Sequence, residues 1–514
     1  MFQRRTTSAV WPSQPILYEV NTRLWLRELS QKMGRLITLA NVPASVVGPW
    51  AEMGFDGIWL MGIWKISRAS QAIARQERNM ASYRKALPDL SAPDVTGSPY
   101  AVSDYRVEPI LGGEKGLSRF RKLLGDNGLK LVLDFVPNHV ATDHPWLFQH
   151  PEYFIHGTPA EAKAESDTWF RREILGKLRL YAHGKDPFFP AWSDTAQLNY
   201  NSVDLRSAVR QTLKKITSLC DGVRCDMAML LLNRVFRKTW GERRWKSRRV
   251  LPLTEFWAEA IQEIREHSPN FLFLAEAYWG LEWELQQLGF DYTYDKVLYD
   301  RLRDSDFDGI RKHLEGDLNY QLRNCRFLEN HDEERAASLL GQRSKACMLL
   351  TATALGMKLF HEGQIDGRRL RVPVQLVRRP WERPDPDLEA FYTTILKEIS
   401  KPLYRQGEWK LLEIRPASPA GGPPSPEDTS WKQIFGTLRR KEEAVRLTVV
   451  NLGKEKAEGL LIFPAWNFSA GNWRLRDLFS GLTLETNGKD LAEKGLPLAL
   501  VPYAYHLFEV TSSS

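Results

Sequence analysis

The stretch Asp221-Gly222-Val223-Arg224-Cys225-Asp226-Met227-Ala228 puts an arginine and a carboxylate at the end of an apolar run. Ile216 to Leu219 lead into it and Met229 to Leu232 continue it, a pattern that predicts a buried strand. An ionised group at the edge of an apolar core costs several kcal/mol unless it is paired. Arg224 and Asp226 are two residues apart, so in a strand both side chains share a face and can pair. A structural ion pair would account for this stretch alone. A carboxylate held ionised and oriented would also suit a nucleophile.

Outward from it, short apolar runs alternate with helical patterns. Ile16 to Thr22, Gly57 to Trp64, Leu131 to Val136, Gly222 to Ala228, Phe271 to Tyr278, Phe290 to Val297, Cys325 to Glu329 and Lys358 to Glu362 read as strands. Helices are expected at Leu36 to Gly54, Gly116 to Asn127, Leu205 to Leu219, Leu253 to His267, Glu282 to Leu288, Phe307 to Glu315, Ser344 to Leu355 and Leu388 to Ile399. About eight of each favour an α/β fold with a closed (β/α)8 TIM barrel. The connection Lys65 to Pro99 exceeds an ordinary loop and is expected to hold helices or a functional segment. Val140 to Val203, rich in Pro, Trp and His, reads as a small inserted domain after the third strand. Beyond Lys401 the runs become short and β-type, predicting a C-terminal antiparallel β-sandwich, with Pro416 to Pro426 as a loop within it. The expected organisation is a barrel from 1–139 and 204–401, an inserted domain from 140–203, and a β domain from 402–514.

Composition narrows the function. The net charge of +8 comes from basic residues interleaved with acidic ones, without a basic tail, so no nucleic-acid partner is expected. The four cysteines, Cys220, Cys225, Cys325 and Cys347, lack metal-ligand spacing and fall in apolar segments, as buried thiols of a reducing compartment would. No signal-peptide pattern follows Arg4 and Arg5, and no apolar run is long enough to span a bilayer, so a cytoplasmic protein without membrane contact is expected.

The polar residues gather at the ends of the predicted strands: Asn138 and His139, Arg224 and Asp226, Glu276, then His331 and Asp332. In a (β/α)8 barrel those ends open on one face, where active sites lie. Three carboxylates, Asp226, Glu276 and Asp332, would converge there. Paired carboxylates flanking a scissile bond are what glycoside chemistry requires.

Four ordered motifs carry a resemblance. They are Asp134-Phe135-Val136-Pro137-Asn138-His139, Gly222-Val223-Arg224-Cys225-Asp226, Ala275-Glu276 after Phe273-Leu274, and Phe327-Leu328-Glu329-Asn330-His331-Asp332. With Tyr18, Tyr100, Asp104-Tyr105, Trp192 to Tyr200 and Leu500 to Val510, the chain resembles the alpha-amylase superfamily, glycoside hydrolase family 13. The resemblance implies Asp226 as nucleophile, Glu276 as general acid/base and Asp332 as the third carboxylate, in a retaining double displacement on an α-glucan or maltooligosaccharide. It implies that Arg224 holds Asp226 ionised, that His139 and His331 bond the hydroxyls of the sugar at the cleavage point, and that Tyr100 stacks on it. No cofactor is required, and Asn138 matches a common calcium ligand of the family.

Departures from the family pattern shape further expectations. Met229 and Leu230 stand where many amylases carry a Lys-His pair, which suggests an apolar acceptor side. The run Arg243-Arg244-Trp245-Lys246-Ser247-Arg248-Arg249 reads as a solvated loop or as a contact for a phosphate-bearing sugar. His361-Glu362-Gly363-Gln364 reads as a donor-side contact or a plain turn, and Trp257, Trp279 and Trp283 flank the predicted acid. A hydrolase of α-glucosidic bonds leads these readings. A transglycosylase of maltosyltransferase or trehalose-forming type and a catalytically silent carbohydrate-binding homologue stand beside it.

Overall fold

Eight parallel strands close into a barrel in the computed structural model, which describes residues 10–174, 176–241, 254–417, 428–463 and 471–513. They are β1 (Ile16–Asn21), β2 (Gly57–Met61), β3 (Lys130–Phe135), β4 (Gly222–Cys225), β5 (Leu272–Ala275), β6 (Tyr292–Tyr294), β7 (Asn324–Arg326) and β8 (Met357–His361). Each pairs with its sequence neighbour and β1 closes on β8. Alternate residues of these strands point to different cores. Leu17, Trp59, Val132, Leu274, Cys325 and Leu359 fill the barrel, while Tyr18, Ile58, Leu133, Val223 and Phe360 pack under the helices. Burial on both faces explains why the strands read as unbroken apolar runs.

Some elements differ from expectation. The helix expected from Leu36 begins only at Ala44 and ends at Glu52, because Pro43 holds an extended conformation at its start. The fourth strand, expected from Gly222 to Ala228, stops at Cys225. Met227 adopts a left-handed φ of 43°, and Ala228–Leu231 forms a 3-10 turn. Between β6 and β7 lies a helix the pattern did not announce, Lys296–Asp304, capped by the Asp295 carboxylate on the Leu298 N–H.

The long connection after β2 holds the helices Arg68–Ala74 and Glu77–Tyr83. After β3, His139–Ala141 pairs with Thr195–Gln197, and Trp169–Ile174 forms a hairpin with Lys177–Ala182. The C-terminal β structure is an eight-stranded antiparallel sheet. Its strand Glu408–Pro416 pairs through one half with Ile434–Lys441 and through the other with Ala457–Ile462, so the sheet folds over a core including Leu412, Leu438, Leu461, Leu475 and Phe508. Most of the loop expected at Pro416 to Pro426 lies outside the described residues.

The helix Ser344–Thr353 is buried nearly all round, wedged between barrel and sheet. Beside it, the fully buried Arg439 of the sheet donates to the Thr353 and Ala354 carbonyls and to Gln14. All four cysteines are free and buried. No described helix is long and apolar enough to cross a membrane.

Gly356 joins that helix to β8 at φ 95°, where an added Cβ would lie 2.2 Å from the Asn324 carbonyl oxygen and 2.9 Å from that of Gln321. Gly356→Ala is expected to destabilise the protein by about 2–4 kcal/mol, read as a thermal midpoint lowered by several degrees.

Candidate active site

Arg224, fully buried on the inward face of β4, sits in register between Asp134 of β3 and Leu274 of β5. Its guanidinium donates to the Asp226 carboxylate at 2.6 Å, lies 2.8 Å from Glu276, and stands 3.7 Å from Asp134. The rings of Trp59, Tyr100 and Tyr294 surround it at 5.3 to 5.7 Å. One cation therefore serves both Asp226 and Glu276. The pairing read from the sequence is present, but Asp226 is not the exclusive partner of Arg224.

Glu276 follows β5. Its two oxygens accept from the Tyr278 hydroxyl at 2.7 Å and from the Met227 N–H at 2.6 Å. The left-handed turn at Met227 aims that N–H, which explains why the fourth strand cannot continue. Burial, with the Asp226 and Asp332 charges, outweighs Arg224 and pushes the Glu276 carboxyl up to about 7. Burial raises Asp226 as well, with Arg224 opposing. Arg224 therefore favours the ionised form of Asp226, as the resemblance implies, but it does the same for Glu276, and burial raises both. Asp134, buried beside them, is also pushed up to about 7 by burial.

Asp332 follows β7 and opens to solvent. Although its crowded surroundings oppose ionisation, His331 at 3.0 Å holds it well below the usual carboxylate range. Asn330 shapes this turn by accepting from the Asp332 and Glu333 N–H groups at 2.9 and 3.0 Å. His331 bonds the Tyr100 hydroxyl at 2.7 Å, stacks on its ring, and on its other nitrogen meets the buried Glu19 of β1. Against burial, Asp332 and Glu19 raise the His331 pKa well above its ordinary value. Burial instead lowers His139 to about 4, leaving a neutral imidazole beside Trp192.

The structure thus gathers Asp226, Glu276, Asp332, Arg224, His331 and Tyr100 into one connected network. His139 stands at the start of the inserted segment. Glu19, Tyr278 and Tyr294 belong to the network and were not singled out in the sequence, and Asp134, which opens the first motif, was given no role there. For Glu19 a signal existed, a lone acid inside the apolar run Ile16 to Val20.

Other expectations change. Met229 and Leu230 are 0% and 3% exposed, so they are core residues and give the acceptor side no apolar surface. Trp279, three residues after Glu276, is 38% exposed and packs against Phe188, 57% exposed, with ring centroids 4.8 Å apart. Trp257 is core and donates to the Ala228 carbonyl, and Trp283 lies on the surface against Tyr320. Asn138 does not fit a calcium cradle: its carbonyl oxygen accepts from Gln197 at 3.0 Å and its amide lies 3.3 Å from the Gln197 oxygen. Among the described residues no group of three or more His, Cys, Asp or Glu is placed to hold a metal ion. The basic run Arg243 to Arg249 lies outside the described residues.

Comparison with known proteins relates the chain to a family. The chain is 22% identical over 327 residues to Alpha-amylase 3 of Dictyoglomus thermophilum, spanning 59% of this chain and 60% of that protein. It is 27% identical over 256 residues to the alpha-1,4-glucan:maltose-1-phosphate maltosyltransferase of Burkholderia pseudomallei, spanning 47% of this chain but 18% of that protein. In fold it is similar to the maltogenic alpha-amylase AmyB of Thermotoga neapolitana, with a TM-score of 0.66 at 17% identity, covering 98% of this chain and 99% of that one. The family model described as alpha amylase, catalytic domain, matches residues 50–367, and the chain belongs to the alpha-amylase superfamily, glycoside hydrolase family 13.

Proposed function

We propose that the protein acts on α-glucosidic bonds of oligo- or polysaccharides with retention of configuration, Asp226 serving as nucleophile and Glu276 as acid/base. The observation that carries this reading is the single buried guanidinium shared by Asp226 and Glu276. Two carboxylates on one cation lie close together, as in retaining enzymes, where they stand about 5 Å apart without room for a water between them.

Protonated Glu276 donates to the glycosidic oxygen as Asp226 bonds to the anomeric carbon. The leaving sugar carries that proton away, and Glu276 becomes a carboxylate. The Tyr278 hydroxyl and Met227 N–H then both donate to it, stabilising the form that takes a proton from water or an acceptor hydroxyl in the second step. A group near pH 7 can turn over in both directions. Asp332, held ionised by His331, stabilises positive charge developing on the sugar ring, and Tyr100, Arg224, His139 and His331 position that ring.

Transfer to a second sugar is the alternative that a specific observation supports. The exposed Trp279 and Phe188 offer stacking surface where a leaving or accepting sugar would lie.

Asp226→Asn and Glu276→Gln are each expected to lower kcat on maltooligosaccharides by on the order of 10^4-fold with the fold intact. Because Glu276 must enter the reaction protonated, kcat/KM is expected to fall as pH rises through about 7. Tyr278→Phe removes a donor that favours the carboxylate form, so it should move that limb to higher pH. Mass spectrometry of maltooligosaccharide digests separates hydrolysis from transfer: products longer than the substrate would mark transfer, and Trp279→Ala should reduce them relative to hydrolysis.

A further inference from the structure

The far side of the barrel mouth is built as a wall. In the closed strand order, β8 and β1 lie opposite β4 and β5, which carry Asp226 and Glu276. Over β8 and β1 two long connections meet, one following β2 and one following β8. They pair at Val95 and Leu376, with the Thr96 N–H donating to the Gln375 carbonyl at 2.8 Å and the Val377 N–H to the Asp94 carbonyl at 3.0 Å. Leu24, Met80, Tyr83, Leu87, Val95, Val372 and Leu376 form a common core beneath them.

Ion pairs lock this wall from several directions. Buried Asp94 accepts from Arg378 at 2.8 and 2.9 Å and pairs with Arg27 at 3.3 Å. Arg379, also buried, bonds Glu28 at 2.6 and 2.7 Å and reaches Glu362 at the end of β8. His361 and Gln364 are engaged as well, with Arg335 and Tyr392 respectively, so the His361 to Gln364 segment braces the wall and does not present free sugar contacts. Between the wall and His331 a cavity of about 10 Å³ remains, lined among others by Asn21, Leu24, Arg371 and Val372. That is room for about one water molecule. Arg371, at the open rim, lies 3.7 Å from Glu334, both side chains being about half exposed, and its charge also reaches Asp332.

A glycone is bound with its anomeric carbon at Asp226, and any further sugar on that side hangs from the opposite end of the ring. His331, bonded to Tyr100, lines the small cavity together with Arg371 and Val372 of the wall, so a ring seated on Tyr100 and His331 would have the wall beside it. We infer that the wall formed by the connections after β2 and β8 ends the donor side at the sugar being cleaved, so that the enzyme works from the non-reducing end of an α-glucan one glucose at a time, with Arg371 addressing the terminal hydroxyls. The inference rests on the α-glucan reading above.

The test compares two p-nitrophenyl maltoheptaosides, one free and one with an ethylidene bridge on its non-reducing terminal sugar. Wild type is expected to cleave the free substrate with kcat/KM at least about 100-fold above the blocked one, and to release glucose first from unmodified maltoheptaose. Arg378→Ala, which unlocks the wall without touching the catalytic network, should narrow that ratio by about 10-fold. Cleavage of the blocked substrate within a few-fold of the free one, or first products longer than glucose, overturns the wall inference and leaves the α-glucan reading standing. The Asp226→Asn variant supplies a binding arm by calorimetry, with free maltoheptaose expected to bind and the blocked form not. If neither substrate is bound or cleaved, both readings fall together.

Discussion

A buried arginine is tolerable only when its charge is met, and Arg224 meets its charge more than once. Asp226 and Glu276 lie against its guanidinium, Asp134 stands behind, and three aromatic rings wall it from solvent. One positive charge cannot satisfy three carboxylates inside a low-dielectric barrel. Burial disfavours their charged forms and the one cation offsets it only in part, which is why Glu276 and Asp134 rise to about 7. The acid is thus made by burial that a shared cation does not cancel. Asp332 escapes the competition because His331 supplies it with a second cation, itself held by Glu19.

The rest of the architecture keeps this balance in place. Glu19 comes from β1 and His331 follows β7, so the second cation is set by strands near opposite ends of the barrel sequence. Tyr278 and the turned Met227 backbone grip Glu276 from the two strand ends it joins. On the opposite side of the mouth, the paired connections over β1 and β8 tie down the loops that border the network.

The barrel was legible because its strands are buried on both faces, so each appears as a short apolar run that ends in polar residues. The same feature exposed Arg224, Asp226, Glu276 and Asp332, charges that apolar runs do not ordinarily end in. What could not be read were partnerships across long sequence separation. Nothing local to Arg378 points to Asp94, 284 residues away, and nothing near Glu19 points to His331. Met229 and Leu230 misled for a related reason: apolar residues after a catalytic strand look like a site surface, yet the turn at Met227 folds them into the core. That Arg224 is shared was hidden too, because strand spacing reveals a same-strand neighbour and not the carboxylate on the next strand.

Arg439 ties the C-terminal sheet to the barrel floor by filling the carbonyls where the helix Ser344–Thr353 ends, just before β8 begins. Without it those carbonyls would be left unsatisfied in an apolar seam, and the strand that closes the barrel would lose its anchor. The sheet is therefore no detachable appendage. Exchanging it for the equivalent piece of a relative would succeed only where an arginine arrives at the same place, so the two parts are bound to be inherited, engineered and shortened as one.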